Sequence, residues 1–212
     1  MHLAKESDKI AEYLLKIKAV RLSTRDPFTW SSGWNSPIYC DNRLILSYPE
    51  IRTAVRNAFV GMIRTNYPAA EGISGVATGG IAIGVLVAEA LGLPFSYVRP
   101  TPKSHGLQNQ IEGRIVPGQK VVVVEDLIST GSSSASAVHA LKESSAEVVG
   151  TVAIFGYGFP TAEEVFGETE TGFSTLTNLE TLLKKAAEMS YIEESEMATI
   201  LSWQQQPEQW GS

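Results

Sequence analysis

Cysteine is almost missing from this chain: Cys40 is the single thiol among 212 residues. An internal disulfide is therefore excluded, and the usage suits a reducing compartment, the cytoplasm. No basic residue adjoins Cys40, so it reads as a small, half-buried filler rather than an activated nucleophile. Long apolar runs are missing as well. Nothing approaches the ~18 consecutive apolar residues of a membrane span. The first eight residues mix both charges before any apolar stretch, unlike a secretory signal. Histidine is scarce, and His2 and His139 fit no motif; both are expected at the surface. There is no internal repeat and no low-complexity tract. Positive charge is in deficit too. The formal net charge is −6, which argues against a nucleic-acid partner. Residues 161–212 hold ten carboxylates against Lys184 and Lys185, a local charge of −8. The other 160 residues carry 15 basic and 13 acidic groups, a balance of +2. The main body can therefore accept a polyanion while the acidic tail stays clear of it. A solvated helical tail accounts equally well for the asymmetry.

What is present fits one α/β domain with a small appendage. Hydrophobic residues make up 43% of the chain, enough to fill a core. Leu3, Ile10, Leu14 and Ile17 recur at helical spacing and predict an amphipathic helix over 3–18. Residues 27–46, rich in Trp, Ser, Gly, Asn and Pro, predict loops and short strands. Ser47 and Pro49 open a helix with Ile51, Val55, Ala58, Phe59 and Met62 on its apolar face. An alternation then begins. Residues 73–77 predict a strand, Gly79-Gly80 a tight turn, 81–91 a helix ended by Gly92, and 95–98 a second strand. Residues 99–116 are polar and lack periodicity. Residues 121–124 predict a buried strand, 133–143 a helix and 148–155 another strand, followed by tail helices near 178–189 and 193–205. Strands apolar throughout, alternating with helices, imply a mainly parallel sheet covered on both faces. In such sheets ligands gather beyond the carboxyl ends of the strands, where 77–81, 99–116 and 125–133 fall.

The last of these segments is the most informative. Val121-Val122-Val123-Val124 delivers two adjacent carboxylates, Glu125 and Asp126, to the sheet edge, and Leu127 and Ile128 lead into a turn of Ser129, Thr130, Gly131, Ser132 and Ser133. Backbone N–H groups at the helix start, with nearby hydroxyls, form a phosphate cradle. Paired acids beside that cradle make sense when the ligand also offers hydroxyls or a metal, as a ribose 5-phosphate does. An ordinary N-capped helix explains one of the hydroxyl residues but not the acid pair. The segment 99–113 gathers Arg99, Lys103 and His105, with Gly106 and Gly113 placed to hinge it over a ligand. A solvated surface loop is the plainer alternative. In the third segment, Thr78, Gly79 and Gly80 join a strand to a helix, and glycine allows close backbone approach to a second phosphate. Alone, that signal is weak.

Residues 121–133 resemble the signature of the type I phosphoribosyltransferases for phosphoribosyl pyrophosphate (PRPP): four apolar residues, two acids, then a Thr/Ser-Gly loop. Residues 99–113 resemble the mobile catalytic loop of the orotate phosphoribosyltransferases, in which Arg, Lys, Lys and His grip pyrophosphate. Pro100 stands where a lysine usually follows the arginine, so one cation is missing. Residues 27–43, with Phe28-Thr29, Ser32-Gly33, Ser36-Pro37 and Tyr39, are similar to that family's orotate-side hood. Ser31 and Tyr157 stand where relatives carry a lysine and an arginine. That leaves the orotate carboxylate to other groups, such as backbone N–H and Ser129, with Tyr39 able to stack on the pyrimidine. The resemblance extends to 176–179 and so covers nearly the whole chain.

It implies a type I phosphoribosyltransferase fold: a hood over about 1–46, a core over about 47–160, and a helical tail over about 161–212. It also implies transfer of phosphoribose from PRPP to orotate without a protein nucleophile. Glu125 and Asp126 then hold the ribose hydroxyls, residues 127–133 the 5-phosphate, Thr78, Gly79 and Gly80 the pyrophosphate, and Arg99, Lys103 and His105 the leaving charge. Mg²⁺ is expected on substrate oxygens near Asp126, and a homodimer with shared active sites as the assembly. A purine or uracil phosphoribosyltransferase would share the PRPP loop but not the hood. A non-catalytic PRPP-sensing regulator would need a recognition helix and a basic face, and the sequence offers neither.

Overall fold

The computed structural model describes residues 2–30, 33–101 and 110–210. The expected amphipathic helix is present as α1 (His2–Lys16), with Ile10 and Leu14 buried. A small hood follows. In it β1 (Val20–Leu22) pairs antiparallel with β4 (Ile38–Cys40), and β2 (Phe28–Thr29) pairs with β3 (Asn35–Ser36). A 3-10 helix, Asn42–Ser47, leads into α2 (Pro49–Asn66). Pro49 takes the first helical position, where its missing N–H goes unnoticed. Ser47 ends the 3-10 segment instead of capping α2; the N-cap is Tyr48, without a side-chain bond.

The main sheet comprises β5 (Gly72–Val76), β6 (Phe95–Val98), β7 (Ile111–Glu112), β8 (Lys120–Ile128), β9 (Glu147–Gly156) and β10 (Phe173–Asn178). Its order is β10-β9-β8-β5-β6-β7, and every pairing is parallel except β6 with β7. Helices α3 (Gly79–Leu91), α4 (Ser132–Glu143) and α5 (Pro160–Glu168) connect the strands, and α6 (Leu179–Glu188) and α7 (Glu194–Gln205) close the chain. Val122 and Val124 pack into one apolar layer with α1, α2, α3, α6 and α7, while Val121 and Val123 pack into another with α4. Strand alternation sends neighbouring valines to opposite faces, so both faces need cover and the run reads as apolar throughout. Gly92 ends α3 in the left-handed region at φ 69°.

The structure departs from the sequence reading in several elements, β1 (Val20–Leu22) among them. Residues 111–112 form β7, too short for an alternation to register. Pro160 starts α5, an unforeseen helix with Ala162 and Phe166 buried. Phe173–Asn178, polar apart from Phe173 and Leu176, is nevertheless the edge strand β10, held by its ladder to β9. His139 is exposed, as expected, and the His2 side chain lies outside the described residues. Among the described residues no helix is long and apolar enough to cross a membrane.

Candidate active site

β5 and β8 lie side by side, but the chain leaves β5 toward β6 and leaves β8 toward β9 on the other side. That reversal opens a crevice beyond their carboxyl ends, the usual ligand position in a doubly wound sheet. Two helices start there. α3 follows β5 and α4 follows β8, and neither N-terminus is capped by a side chain. Unpaired N–H groups and the positive dipole ends therefore face the crevice from two directions, which suits a ligand with two phosphates.

The turn expected at Gly79-Gly80 is made one step earlier, at Ala77–Thr78, whose peptide bond is cis; both glycines belong to the first turn of α3. They are needed for close approach rather than for turning. A Cβ on Gly79 would overlap the Asp126 carboxylate, and one on Gly80 would overlap the Val124 carbonyl oxygen. Gly131 supplies the left-handed N-cap of α4 at φ 81°. Beside it Thr130 and Ser132 hydroxyls lie 3.2 Å apart. β8 runs on to Ile128, so the acids expected just beyond the strand lie within it.

The two acids differ in setting. Glu125 is buried, accepting from the Ser134 hydroxyl at 3.2 Å and from the Asp126 N–H at 3.0 Å. Burial, then the adjoining Asp126 carboxyl, pushes its pKa well above the usual carboxylate range. Asp126 is partly exposed and lies against Gly79. Because the native pKa of Glu125 is raised, the stability it contributes is full at low pH. It is lost as pH rises from the ordinary carboxylate range through the native value. Glu125→Gln should therefore narrow the drop in melting temperature between mildly acidic and mildly alkaline buffer, measured by thermal denaturation. An unchanged drop would show that Glu125 does not titrate in the native protein.

The hood is fastened at this point. Buried Asn42 donates its Nδ2 hydrogen to the Asp126 carbonyl at 2.6 Å and accepts from the Cys40 thiol at 3.3 Å. Sequence reading missed Asn42, since an asparagine in a polar loop carries no signal of its partner. Asn42→Ala should lower stability by about 1–3 kcal/mol, the cost of leaving a buried partner unpaired. An unchanged denaturant midpoint would mean that the hood is held elsewhere.

Hood and sheet edge enclose a cleft of about 550 Å³ lined by Trp30, Trp34, Tyr39, Leu127, Ser129 and Tyr157, among others. Tyr39 and Ser129, singled out from sequence, thus share one wall system with Leu127. Tyr157 is buried in an aromatic cluster, stacked on Phe159 at 5.3 Å and met edge-on by Trp203 at 5.9 Å. Cys40 also reaches this cleft. Burial, then the Asp126 and Asp41 carboxylates, raises its thiol pKa, consistent with an unreactive filler.

On the other side a hollow of about 250 Å³ is lined by Ala77, Arg99, Ser132 and Ser133, among others. Arg99 approaches Glu112 at 3.8 Å, and its backbone pairs with Gln110 across the β6–β7 hairpin. Lys103 and His105 lie outside the described residues, as does Ser31. Of the remaining sequence-predicted residues, Gly79 lies against Asp126, Ser129 and Thr130 line the hood cleft, and Ser132 and Ser133 line the smaller hollow, whereas Gly80, Glu125, Ile128 and Gly131 are buried and Thr78 is exposed.

Comparison with known proteins gives the same reading. The phosphoribosyl transferase domain family matches residues 45–171. The chain is 52% identical to the orotate phosphoribosyltransferase of Cytophaga hutchinsonii, covering 95% of this chain and 97% of that protein. It is 54% identical to the orotate phosphoribosyltransferase of Bacteroides thetaiotaomicron, covering 94% of each. Among solved structures it resembles the orotate phosphoribosyltransferase of Aeropyrum pernix, with a TM-score of 0.75 and 28% identity over 87% of this chain and 99% of that one. With a domain family spanning more than half its length and relatives above half identity over nearly all of it, the chain belongs to the orotate phosphoribosyltransferase family.

Proposed function

We propose that this chain transfers the 5-phosphoribosyl group of PRPP to orotate, giving orotidine 5'-phosphate and pyrophosphate in pyrimidine synthesis. The observation that carries the reading is a crevice with two uncapped helix N-termini, a carboxylate pair between them, and an aromatic cleft alongside. In this reading residues 129–133 hold the 5-phosphate, Thr78, Gly79 and Gly80 the pyrophosphate, and Asp126 with Glu125 the ribose hydroxyls. Orotate lies in the hood cleft against Tyr39 and Ser129. The ring nitrogen of orotate bonds to the anomeric carbon from one face as the pyrophosphate oxygen leaves from the other, and the proton on that nitrogen passes to the released pyrophosphate or to water. No protein nucleophile takes part. Catalysis is positioning, exclusion of water, and neutralisation of leaving charge by Arg99, Lys103 and His105.

The residues present fit Mg²⁺ held chiefly by substrate. Among the described residues no three His, Cys, Asp or Glu side chains cluster as a metal cage, and Asp126 is a partly exposed carboxylate at the crevice. A hard cation that retains water and takes phosphate oxygens suits such a site. Its contribution when bound is to offset negative charge on pyrophosphate.

The enzyme acts in the cytoplasm as a single-domain subunit of a homodimer. In support of the dimer, α3 is apolar on nearly every side, yet Val85 is 43% exposed, and Leu44 and Tyr48, in and after the 3-10 helix that packs on α3, are exposed too. The deciding experiment incubates the protein with PRPP, Mg²⁺ and a panel of bases. Orotate should be consumed with release of pyrophosphate; consumption of a purine or uracil instead would overturn the assignment.

A further inference from the structure

Orotate is an anion at neutral pH, and the hood cleft is poorly supplied with positive charge. No Lys or Arg among the described residues lines it. The Asp126 and Asp41 carboxylates both act on the Cys40 thiol that lines it. Arg43 is engaged by Asp41 at 2.6 Å. An anionic base entering this cleft therefore needs a cation from its rim.

Arg21 stands there. β1 and β4 pair so that Arg21 lies directly opposite Tyr39, which puts both side chains on one face of the ribbon. The Arg21 guanidinium sits 4.9 Å from the Tyr39 ring centroid and 5.2 Å from that of Phe28. The two rings are themselves 5.7 Å apart and form a notch around it. Tyr39 and Thr29, the residue after Phe28, line the cleft. Arg21 is exposed, and among the described residues no carboxylate or carbonyl is bonded to its N–H donors. Aromatic faces hold a guanidinium without consuming those donors, which lie near the ring edges and can still take a carboxylate in bidentate fashion.

We infer that Arg21 is a specificity-determining residue, the rim cation that recognises the carboxylate of the base and so favours an anionic pyrimidine over a neutral one. This rests on the orotate reading above. It also answers for the absence of basic side chains at Ser31 and Tyr157, because the charge arrives from β1 instead.

The test compares the parent with Arg21→Gln and Arg21→Lys in steady-state assays with PRPP, Mg²⁺ and orotate, at low and high salt. Arg21→Gln should raise the orotate KM by about tenfold or more, the scale of one charge-assisted hydrogen bond. The KM for PRPP and the melting temperature should stay near the parent's. Arg21→Lys should recover much of the loss. Salt should raise the orotate KM of the parent and leave that of Arg21→Gln almost unchanged. An unchanged orotate KM in Arg21→Gln overturns the inference. So does equal impairment of the lysine and glutamine variants, which would mean that Arg21 merely packs against the rings. A parent that does not consume orotate at all would overturn the substrate reading first and this inference with it.

Discussion

Gly79→Ala is expected to lower turnover by on the order of a hundredfold while leaving the melting temperature close to the parent's. The new methyl group would occupy the space of the Asp126 carboxylate, whose three terminal atoms all lie within the clash distance. That carboxylate is the free end of a partly exposed side chain, so rotation relieves the clash at little cost to folding. The rotation takes the charge away from the ribose hydroxyls, which is where the proposed mechanism needs it. Gly80→Ala makes the opposite case. Its methyl group would meet the Val124 carbonyl and the Glu125 backbone, which no side-chain rotation can clear. α3 must then move off β8, and stability should fall by about 1–3 kcal/mol. Parallel measurements of kcat and thermal denaturation on both variants separate the two effects. If Gly79→Ala keeps its turnover, Asp126 has no role that depends on its position.

Activity should return when two inactive proteins are mixed, one carrying Lys103→Ala and the other Asp126→Asn. Losing either group should cost on the order of a hundredfold in turnover, the scale for one transition-state charge partner. If the loop around Lys103 closes on the partner's crevice, a hybrid dimer has one site with Lys103 from one chain and Asp126 from the other. Random exchange makes about half the dimers hybrid, so recovery should approach roughly a quarter of parent activity in a two-fold dimer with independent sites. A loop acting within its own subunit leaves every hybrid site damaged. Hybrids confirmed by tagging that show no recovery would remove the shared-site proposal.

The two predictions draw on different levels of legibility. Asp126 and its loop were readable because a buried parallel strand must be apolar on both faces, so an acid pair at the end of four valines stands out. Gly92 was readable for a similar reason, since a glycine after an apolar periodic run marks a helix end. What Gly79 and Gly80 do was not readable. Two glycines after a strand look like a turn, and only the packing of α3 on β8 shows that they allow close approach. Asn42 and Arg21 were invisible for a further reason. Their partners, the Asp126 carbonyl and the Tyr39 ring, lie 84 residues away in the first case and across a two-strand ribbon in the second. β10 escaped notice because its place is fixed by main-chain pairing with β9 rather than by an apolar pattern.

The aromatic corner has a practical consequence. All four tryptophans of the chain, Trp30, Trp34, Trp203 and Trp210, gather around the hood. Trp30 and Trp34 line the cleft, Trp203 meets Trp30 edge-on at 5.6 Å, and Trp210 packs on the same core. Indole emission from this protein therefore comes from one region, without background from the far side of the sheet. A ligand arriving beside Trp30 would change that emission directly, so a rapid-mixing trace could follow base entry in real time on the unlabelled protein.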